Sequence, residues 1–435
     1  MMKAKRQHSK NIFHGFFMAK QVRRVVVTGM GAVTPIGLTV KEFWANALAG
    51  KSGVANITYF DTTNYETKFA GELKGFDPHN YMDRKLAQRV DQFTQYAIAA
   101  SEEAIKDAGI DFEKTNKEKV GVVFGSGIGG FKTFQTQVGN MIERKGPDRI
   151  SPFFIPMMIP DIAAGRVSIK YGLKGPNYAT VSACATASHA IGDSLMLIQR
   201  GLVDVMLCGG SEAGICEMGI GGFNALKALS TRNDAPEKAS RPFEKDRDGF
   251  VMGEGGGVMI LEELEHAKAR GAKIYAELAG MGFTGDAHHI TEPAPNGEGA
   301  QRSMKMALED AGMKPAEIDY VNAHGTSTYY NDKYETAAIK AVFGEHAQKL
   351  AINSTKSLVG HLLGAAGVLG AITSVLTIVH DEIHPTINYE TPDPECDLNY
   401  VPNKPVKKTV NAAICNAFGF GGHNATLAFK KFSEK

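Results

Sequence analysis

Hydrophobic runs that end in glycine alternate with helical patterns along the first part of the chain. Three such runs predict buried strands, at residues 24–28, 120–124 and 203–207. Between them, apolar residues recur at the spacing of one helix face over residues 95–106 and 190–200. Because strands that alternate with helices pair in parallel and are covered on both faces, we expect a mostly parallel sheet.

The same alternation starts again after a charged helical pattern at residues 262–270. The predicted elements of this second part are strands at 273–278, 318–321 and 412–416 and helices at 299–311 and 360–378. Two units of one architecture therefore follow each other along the chain. We expect an α/β fold of two related halves, residues 23–270 and 271–435.

Length, composition and charge narrow the class of protein. The 435 residues exceed what one ordinary core accommodates, and 43% hydrophobic and 22% charged residues are typical of globular proteins. A net charge of +1 gives no overall field to attract nucleic acid or a membrane, so a charged partner needs a local patch. No apolar run approaches the ~20 residues of a membrane span.

The five cysteines form no CxxC pair, which argues against both a zinc site and a disulfide framework. Free thiols fit a reducing compartment, so we expect a cytoplasmic protein. Residues 1–22 are expected to form a basic leader, either a disordered tail or an upstream-start extension, because Met18-Ala19-Lys20 begins a plausible N-terminus. A short organellar presequence is the alternative, whereas the apolar stretch of a secretory signal is missing.

Cys184 lies in a segment of small residues, 180–189, after an apolar run and before a helical pattern. The partial positive charge and free N–H groups of a helix N-terminus lower the pKa of a thiol and favour the nucleophilic thiolate. The pattern therefore indicates a candidate nucleophile. A buried structural cysteine is the alternative.

Two histidines occupy positions that suit hydrogen-bond donation. His324, in His-Gly-Thr-Ser-Thr, follows a predicted strand and would face the crevice where α/β sheets bind ligands, unless it is a turn histidine bonded to backbone. His361 precedes a Gly/Ala-rich helix predicted at 362–372, whose dipole would keep the imidazole neutral. The small residues of that helix also allow tight packing.

Asp332 and Glu335 are three residues apart and share a face if the segment is helical. We expect a solvated face, unless Lys356 is buried nearby and needs a counter-charge. The segment 416–422, Asn-Ala-Phe-Gly-Phe-Gly-Gly, could aim backbone N–H groups at a ligand while its phenylalanines pack on an acyl chain. A glycine-rich turn with core aromatics is the alternative.

The glycine-rich loop 125–130 satisfies GxGxxG after a predicted strand. A dinucleotide site also needs an acidic residue at the end of a second strand, roughly 20 residues on. Glu143 and Asp148 lie near that distance, but in a polar stretch without a strand. The pattern therefore disfavours a nucleotide-dependent oxidoreductase.

Four segments taken together resemble the β-ketoacyl-[acyl-carrier-protein] synthases over about residues 23–431: the turn at Cys184, the motif at His324, the run from Lys356 to His361, and the final glycine motif. The resemblance implies a thiolase-like fold with five αβαβα layers and a homodimer, without cofactor or metal. Cys415 precedes the glycine motif, unlike the second catalytic cysteine of thiolases. A Cys-His-His set resembles the elongating, type II class rather than the CoA-using initiation synthases.

The resemblance implies an acyltransferase that performs decarboxylative Claisen condensation of acyl-carrier with malonyl-carrier in fatty acid elongation, through an acyl-Cys184 intermediate. A ketosynthase of a polyketide pathway is the alternative. A non-catalytic chain-length factor would lack the nucleophile, and the intact Cys184 argues against it.

The resemblance also assigns roles to individual residues. Backbone N–H groups of Cys184 and Phe420 would form an oxyanion hole, and His324 and His361 would donate to the enolate. Lys356 would orient the site, with Glu335 offsetting its charge. The residues implied in substrate binding are Ile128 in the acyl pocket, Thr326 and Thr328 on the phosphopantetheine arm, and Phe418 and Phe420 as gates.

Carrier proteins are acidic, so a local basic patch is expected on this chain. The basic residues at corresponding positions are Lys85, Arg89, Arg149 and Lys227. Gln88 and Asp148 weaken this patch, and a scattered solvated surface is the alternative.

Overall fold

The computed structural model describes residues 22–434, so the expected basic leader lies outside the described residues except for Val22. The strands are β1 (Val25–Val33), β2 (Ala55–Asn56), β3 (Phe69–Ala70), β4 (Val120–Gly125), β5 (Asn177–Thr180), β6 (Val205–Glu212), β7 (Gly255–Glu263), β8 (Ala276–Gly285), β9 (Tyr320–Asn322), β10 (Ala351–Asn353), β11 (Glu382–Ile383), β12 (Val406–Lys407), β13 (Ala412–Gly419) and β14 (His423–Lys430). The helices are α1 (Val40–Leu48), α2 (Arg84–Ala87), α3 (Gln92–Ala108), α4 (Phe131–Glu143), α5 (Phe154–Met158), α6 (Ile162–Tyr171), α7 (Thr186–Gln199), α8 (Glu217–Ala225), α9 (Leu264–Ala269), α10 (Glu298–Ala311), α11 (Tyr329–Phe343), α12 (Lys356–Val359) and α13 (Ala366–His380).

Ten strands form one sheet whose order is mirrored about its centre. From the antiparallel pair β1–β8 the order runs β7-β6-β4-β5 on one side and β14-β13-β9-β10 on the other. Each strand of the first half thus has a counterpart in the second, and the two predicted α/β halves are confirmed. The predicted boundary after Arg270 falls in the connection between α9 and β8.

The expectation of a mostly parallel sheet is wrong. Four of the neighbouring pairs in the ten-stranded sheet are parallel and five are antiparallel. Four of the five antiparallel pairs involve β7 or β14, which the sequence did not predict as strands, and the fifth joins β1 to β8. Strand β7 opens with three glycines and β14 follows a glycine-rich turn, so neither shows the flanking pattern of a strand.

Helices α7 and α13 lie between the two halves and contact strands of both. Helices α3 and α6 cover the outer face of the first half, and α10 and α11 that of the second. The architecture is therefore the five-layer αβαβα arrangement expected of a thiolase-like fold. Ile191 and Leu195 of α7 share one core with Ile372 and Val375 of α13, and each fully buried side chain of this kind contributes ~1.5–3 kcal/mol.

Glycines let the outer helices pack directly on the central strands. A Cβ on Gly31 of β1 would lie 2.0 Å from the Ala100 carbonyl oxygen of α3, and one on Gly282 of β8 would lie 2.0 Å from that of Ser303 in α10. These glycines therefore lie inside strands rather than ending them. The predicted strands at 24–28 and 273–278 were wrong at their ends, because β1 and β8 run on to Val33 and Gly285.

The helix predicted at 360–378 is interrupted at its start. Helix α12 ends at Val359, His361 follows it, and α13 begins only at Ala366. Residues 363–380 form a stretch that is long and apolar enough to cross a membrane, contrary to the expectation from the sequence, but 83% of this stretch is buried inside the protein. Its position between the two halves accounts for its apolar character.

Candidate active site

Cys184 lies in a tight turn between β5 and the central helix α7. The preceding Ala183 has φ 49°, in the left-handed region that side chains rarely adopt. A Cβ on Gly419, at the end of β13, would lie 2.9 Å from the Cys184 nitrogen, so the two halves meet at this turn. The backbone N–H groups of Cys184 and Phe420 lie near the sulfur and lower the pKa of the thiol, and the oxyanion hole that they would form stays a prediction.

The structure brings the three predicted reacting groups together. The Cys184 Sγ and one ring nitrogen each of His324 and His361 lie within 4.8 Å of one another. The two imidazoles are nearly perpendicular, with ring centroids 5.4 Å apart. Both histidines are buried, so they face the sulfur away from bulk water.

Local contacts fix both imidazoles as hydrogen-bond donors. The Leu363 N–H donates to Nδ1 of His361 at 3.2 Å, which leaves the proton of a neutral ring on Nε2. That Nε2 is buried and has no partner within the described part of the chain. Lys356 Nζ lies 3.4 Å from Nδ1 of His324, which gives that ring the same tautomer.

Burial keeps both rings uncharged. It lowers the pKa of His361 well below its usual range, and the Lys356 ammonium adds to the effect. The same two causes, together with His361, lower the pKa of His324. His361 was expected to be neutral because of the dipole of a helix that begins at residue 362. Helix α13 begins only at Ala366, and burial together with Lys356 keeps the ring neutral instead.

The expected depression of the Cys184 pKa is wrong. Burial raises the pKa of the thiol to about 11, and the Glu212 carboxylate adds to this effect. The charge of Lys356 and the two N–H groups lower the pKa but do not outweigh burial. The sequence indicated the helix terminus, which lowers the pKa of a thiol, but it could not show the loss of water around Cys184, which raises that pKa.

Lys356 binds the backbone as well as the ring of His324. Its Nζ donates to the His324 carbonyl at 2.5 Å. No ion pair joins Lys356 to Glu335 among the described residues, so Glu335 is not a direct counter-ion. Its carboxylate acts on Lys356 at longer range, raising a pKa that burial lowers.

Asp332 and Glu335 are buried on α11, so the expectation of a solvated face is wrong. Glu335 accepts hydrogen bonds from the His324 and Gly325 N–H groups, both at 2.8 Å. Asp332 accepts from Thr326 and Ser327, at 3.0 and 3.1 Å. Two carboxylates thus hold four consecutive backbone N–H groups of the loop that carries His324, and burial raises the pKa of Glu335 to about 7.

Arg247 is a supporting residue in a segment, 240–249, that contributes to the family resemblance, but the sequence assigned it no role. Its guanidinium is buried, donates to Asp393 at 2.6 Å and lies 3.6 Å from Asp332. It also donates to the Thr328 carbonyl at 3.3 Å. The dense charge of residues 244–248 was the available signal, because buried charges need partners.

The predicted substrate-binding residues share one cavity with the reacting groups. The cavity measures about 540 Å³, and the sequence-predicted residues that line it are Ile128, Cys184, Lys227, His324, Thr326, Thr328, Glu335, His361, Phe418 and Phe420. The hydroxyls of Thr326 and Thr328 are 2.9 Å apart. The cavity is large enough for an extended chain and offers polar groups beside the sulfur.

In the glycine-rich loop 125–130, the backbone N–H groups that could bind a phosphate already donate to a protein side chain. The buried Glu212 accepts from the Gly127 and Ile128 N–H groups at 2.7 and 3.1 Å, and from the Ser126 hydroxyl at 2.7 Å. These donors would otherwise bind an anion. The arrangement argues against a dinucleotide at this loop.

The predicted basic patch is only partly assembled. Lys227 lies at the cavity and pairs with Glu66 at 2.6 Å. Arg89 is half-buried over the Phe153 ring, whereas Lys85 and Arg149 are exposed. The structure does not bring these three to the cavity lining, and the carrier-binding patch stays a prediction.

Cys184, His324 and His361 have the composition of a three-ligand zinc site. The Lys356 ammonium beside His324 already places a positive charge there, which disfavours a cation. The expectation that no metal is involved stays a prediction.

Comparisons with known proteins agree on one family. The family models "Beta-ketoacyl synthase, N-terminal domain" and "Beta-ketoacyl synthase, C-terminal domain" match residues 22–267 and 275–390. The chain is 54% identical to 3-oxoacyl-[acyl-carrier-protein] synthase 2 of Staphylococcus aureus (strain COL), over 95% of this chain and 99% of the relative. It is 52% identical to the Synechocystis protein of that name, over 94% and 98%.

Solved ketosynthases share the fold. A β-ketoacyl synthase from Burkholderia phymatum has a TM-score of 0.87 at 37% identity and covers 94% of this chain and 100% of its own. A type II polyketide ketosynthase in complex with its acyl-carrier protein has a TM-score of 0.89 at 36% identity, covering 95% and 100%.

Proposed function

This chain belongs to the β-ketoacyl synthase family, and from that premise we propose that it condenses acyl-[acyl-carrier-protein] with malonyl-[acyl-carrier-protein] in fatty acid elongation. The observation that carries the proposal is the meeting of one thiol and two neutral imidazoles within 4.8 Å, at a cavity of about 540 Å³. The identity of 54% to a type 2 synthase favours this reaction over polyketide synthesis, whose ketosynthase neighbour is 36% identical.

The first half-reaction transfers the acyl group to Cys184. The sulfur attacks the thioester carbonyl, a new carbon–sulfur bond forms, and the carrier leaves as a thiol with the proton that Cys184 loses. Backbone N–H groups of Cys184 and Phe420 stabilise the oxyanion. Removing one donor of this kind typically costs ~10²–10³ in rate.

The second half-reaction needs donors rather than acids. When the malonyl thioester loses CO₂, the electron pair of the broken carbon–carbon bond forms an enolate, whose oxygen accepts from His324 and His361. Neutral rings suit this step, because an imidazolium would protonate the carbanion. The enolate carbon then attacks the acyl-Cys184 carbonyl, giving the β-ketoacyl-carrier and releasing the Cys184 sulfur.

The remaining assignments concern binding. Thr326 and Thr328 hydrogen-bond the phosphopantetheine arm, Ile128 shapes the acyl pocket, and Phe418 and Phe420 gate the two half-reactions. Their place on the lining of one cavity supports these roles. Lys227 at the cavity, with Lys85, Arg89 and Arg149 farther out, meets the acidic carrier.

The working unit is a homodimer. Strand β5 ends the ten-stranded sheet, so one of its edges is unpaired within the described chain. Exposed apolar side chains flank that edge, including Val181 at 59% exposure and Ile169 at 71%. An open edge with apolar flanks suits isologous pairing with a second copy.

Five free thiols support a cytoplasmic location.

The proposal is tested by mass spectrometry of the intact protein after incubation with acyl-carrier. We expect one added acyl group that maps to Cys184 and is lost in Cys184→Ala. Cys208→Ala is the matched control, because Cys208 is a buried thiol of β6 outside the cavity lining. This variant should still carry the acyl group on Cys184. Absence of any adduct, or an adduct on another cysteine, would refute the proposed function.

A further inference from the structure

Glu212 is a buried carboxylate that the condensation chemistry does not use. It is the last residue of β6 and its exposure is 0%. Its Oε1 accepts from the Ser126 hydroxyl and the Ile128 N–H, at 2.7 and 3.1 Å. Its Oε2 accepts from the N–H groups of Gly127 and Gly364, at 2.7 and 2.9 Å.

These donors come from two segments that line the cavity on different elements. Gly127 and Ile128 follow β4, whereas Gly364 lies in the turn after His361. A Cβ on Gly364 would lie 2.3 Å from the Gly127 nitrogen, so the two backbones touch around the carboxylate. Glu212 is also close enough to Cys184 that its charge raises the pKa of the thiol.

The mirrored sheet gives this arrangement a counterpart. Strands β4 and β9 occupy equivalent places in the two halves. The loop after β9 carries His324 and is held by the buried carboxylates Glu335 and Asp332. The loop after β4 carries Ile128 and is held by Glu212 in the same manner, through consecutive backbone N–H groups.

We propose that Glu212 is a positioning residue for the acyl chain: it fixes the loop of Ile128 against the turn that follows His361, so that chain length is read at a set distance from Cys184. This inference rests on the proposed condensation. This role differs from a purely structural one, because Glu212 holds two functional segments. One segment carries Ile128, which contacts the acyl chain, and the other follows His361, which donates to the enolate.

Glu212→Gln separates the two attachments. An amide keeps one oxygen and replaces the other with an NH₂ donor. If the NH₂ faces Ser126, the hydroxyl can rotate to accept from it and only the Ile128 N–H loses its partner. If it faces Gly127 and Gly364, two N–H groups lose theirs, so the first orientation is favoured.

The experiment measures acyl transfer to Cys184 from short- and long-chain acyl-carriers, and decarboxylation of malonyl-carrier. In Glu212→Gln the long-to-short ratio of kcat/KM should change by about ten- to hundredfold, the cost of one lost charge-assisted hydrogen bond. Decarboxylation should change less than that ratio. Glu212→Ala releases both segments and should impair both reactions.

Glu103→Gln is the matched control. Glu103 is likewise a carboxylate that accepts from two backbone N–H groups, those of Ala32 and Val40, but it does not line the cavity. The Glu103→Gln variant should unfold at a lower midpoint without a change in the long-to-short ratio of kcat/KM. The inference is overturned if folded Glu212→Gln keeps the wild-type ratio, or if Glu103→Gln alters the ratio equally. If wild-type Cys184 accepts no acyl group from any carrier, the proposed function fails instead.

Discussion

His324 and His361 are buried and Cys184 is half-buried, and the loss of water around these groups drives all three toward their neutral forms. The thiol pKa rises to about 11 and both imidazole pKa values fall. Neutral imidazoles suit enolate stabilisation, whereas a protonated thiol needs help before it attacks. The Lys356 ammonium serves both ends, since it lowers the pKa of the thiol and of the two rings.

The raised thiol pKa predicts how Cys184 reacts with iodoacetamide in the absence of substrate. Because the thiolate is the reactive form, the alkylation rate at Cys184 should rise about tenfold per pH unit between pH 7 and 9. Lys356→Met removes a charge that lowers this pKa, so its rate at pH 8 should fall below that of the wild type. Peptide mapping after timed alkylation measures the rate at this residue alone.

Lys349→Met removes an exposed lysine and should leave the rate unchanged. A wild-type rate that is already constant above pH 7 would mean that the helix terminus outweighs burial, as the sequence had suggested.

Motifs identified Cys184, His324 and His361 from the sequence, because each lies beside a strand end or among small residues. Their ionisation could not be predicted in the same way, since it depends on distant segments that exclude water. Glu335 shows the same limit. Its spacing from Asp332 was visible, but its partners are the backbone of another segment rather than Lys356.

At the scale of elements, helix α11 acts as a clamp on the loop 324–327. Its two carboxylates replace the sheet and helix partners that four backbone N–H groups lack. Buried N–H groups left unpaired are costly. The position of His324 is therefore set by two side chains of α11 rather than by the loop itself.

Glu335→Gln tests this clamp. Its amide turns a donor toward either the His324 or the Gly325 N–H, so unfolding free energy should fall by about 1–3 kcal/mol. Because the loop carries a donor to the enolate, decarboxylation of malonyl-carrier should fall more than acyl transfer to Cys184. Denaturant titration and the two partial reactions measure these effects.

Glu345→Gln removes a similar charge from an exposed position just beyond α11 and should change neither quantity. Equal losses in both partial reactions would contradict a role in placing His324.

Glycine content decided which elements could be predicted correctly from the sequence. The valine-rich run at 120–124 predicted β4 well, whereas the run at 203–207 missed the end of β6, which runs on through two glycines to Glu212. Strands β1, β7 and β8 contain glycines because helices or neighbouring strands approach them closely, and these glycines resemble strand ends in the sequence. A glycine that allows a close contact between distant segments therefore looks, in the sequence, like a glycine that ends a strand.

At the scale of the whole molecule, the two halves divide the site between them. Cys184 comes from the first half, whereas His324, His361 and Phe420 come from the second. The sequence predicted two related units, since the order of elements repeats. It could not predict that both sheets join through β1 and β8, because strand pairing across the halves leaves no periodic signal.

The open edge at β5 predicts the oligomeric state. Val181→Arg puts a charge among the exposed apolar groups beside that edge, so sedimentation velocity should show loss of dimer in favour of monomer. Leu202→Arg, at 53% exposure before β6, is the matched control and should stay dimeric. A wild-type protein that sediments as a monomer, or a dimeric Val181→Arg, would contradict this interface.

The mirrored strand order has an evolutionary consequence. Such an order is what remains when a gene for one unit is duplicated in tandem and the two products fuse into a single polypeptide. The two copies of the unit now differ in chemistry: the first supplies the nucleophile Cys184, and the second supplies the donors His324 and His361.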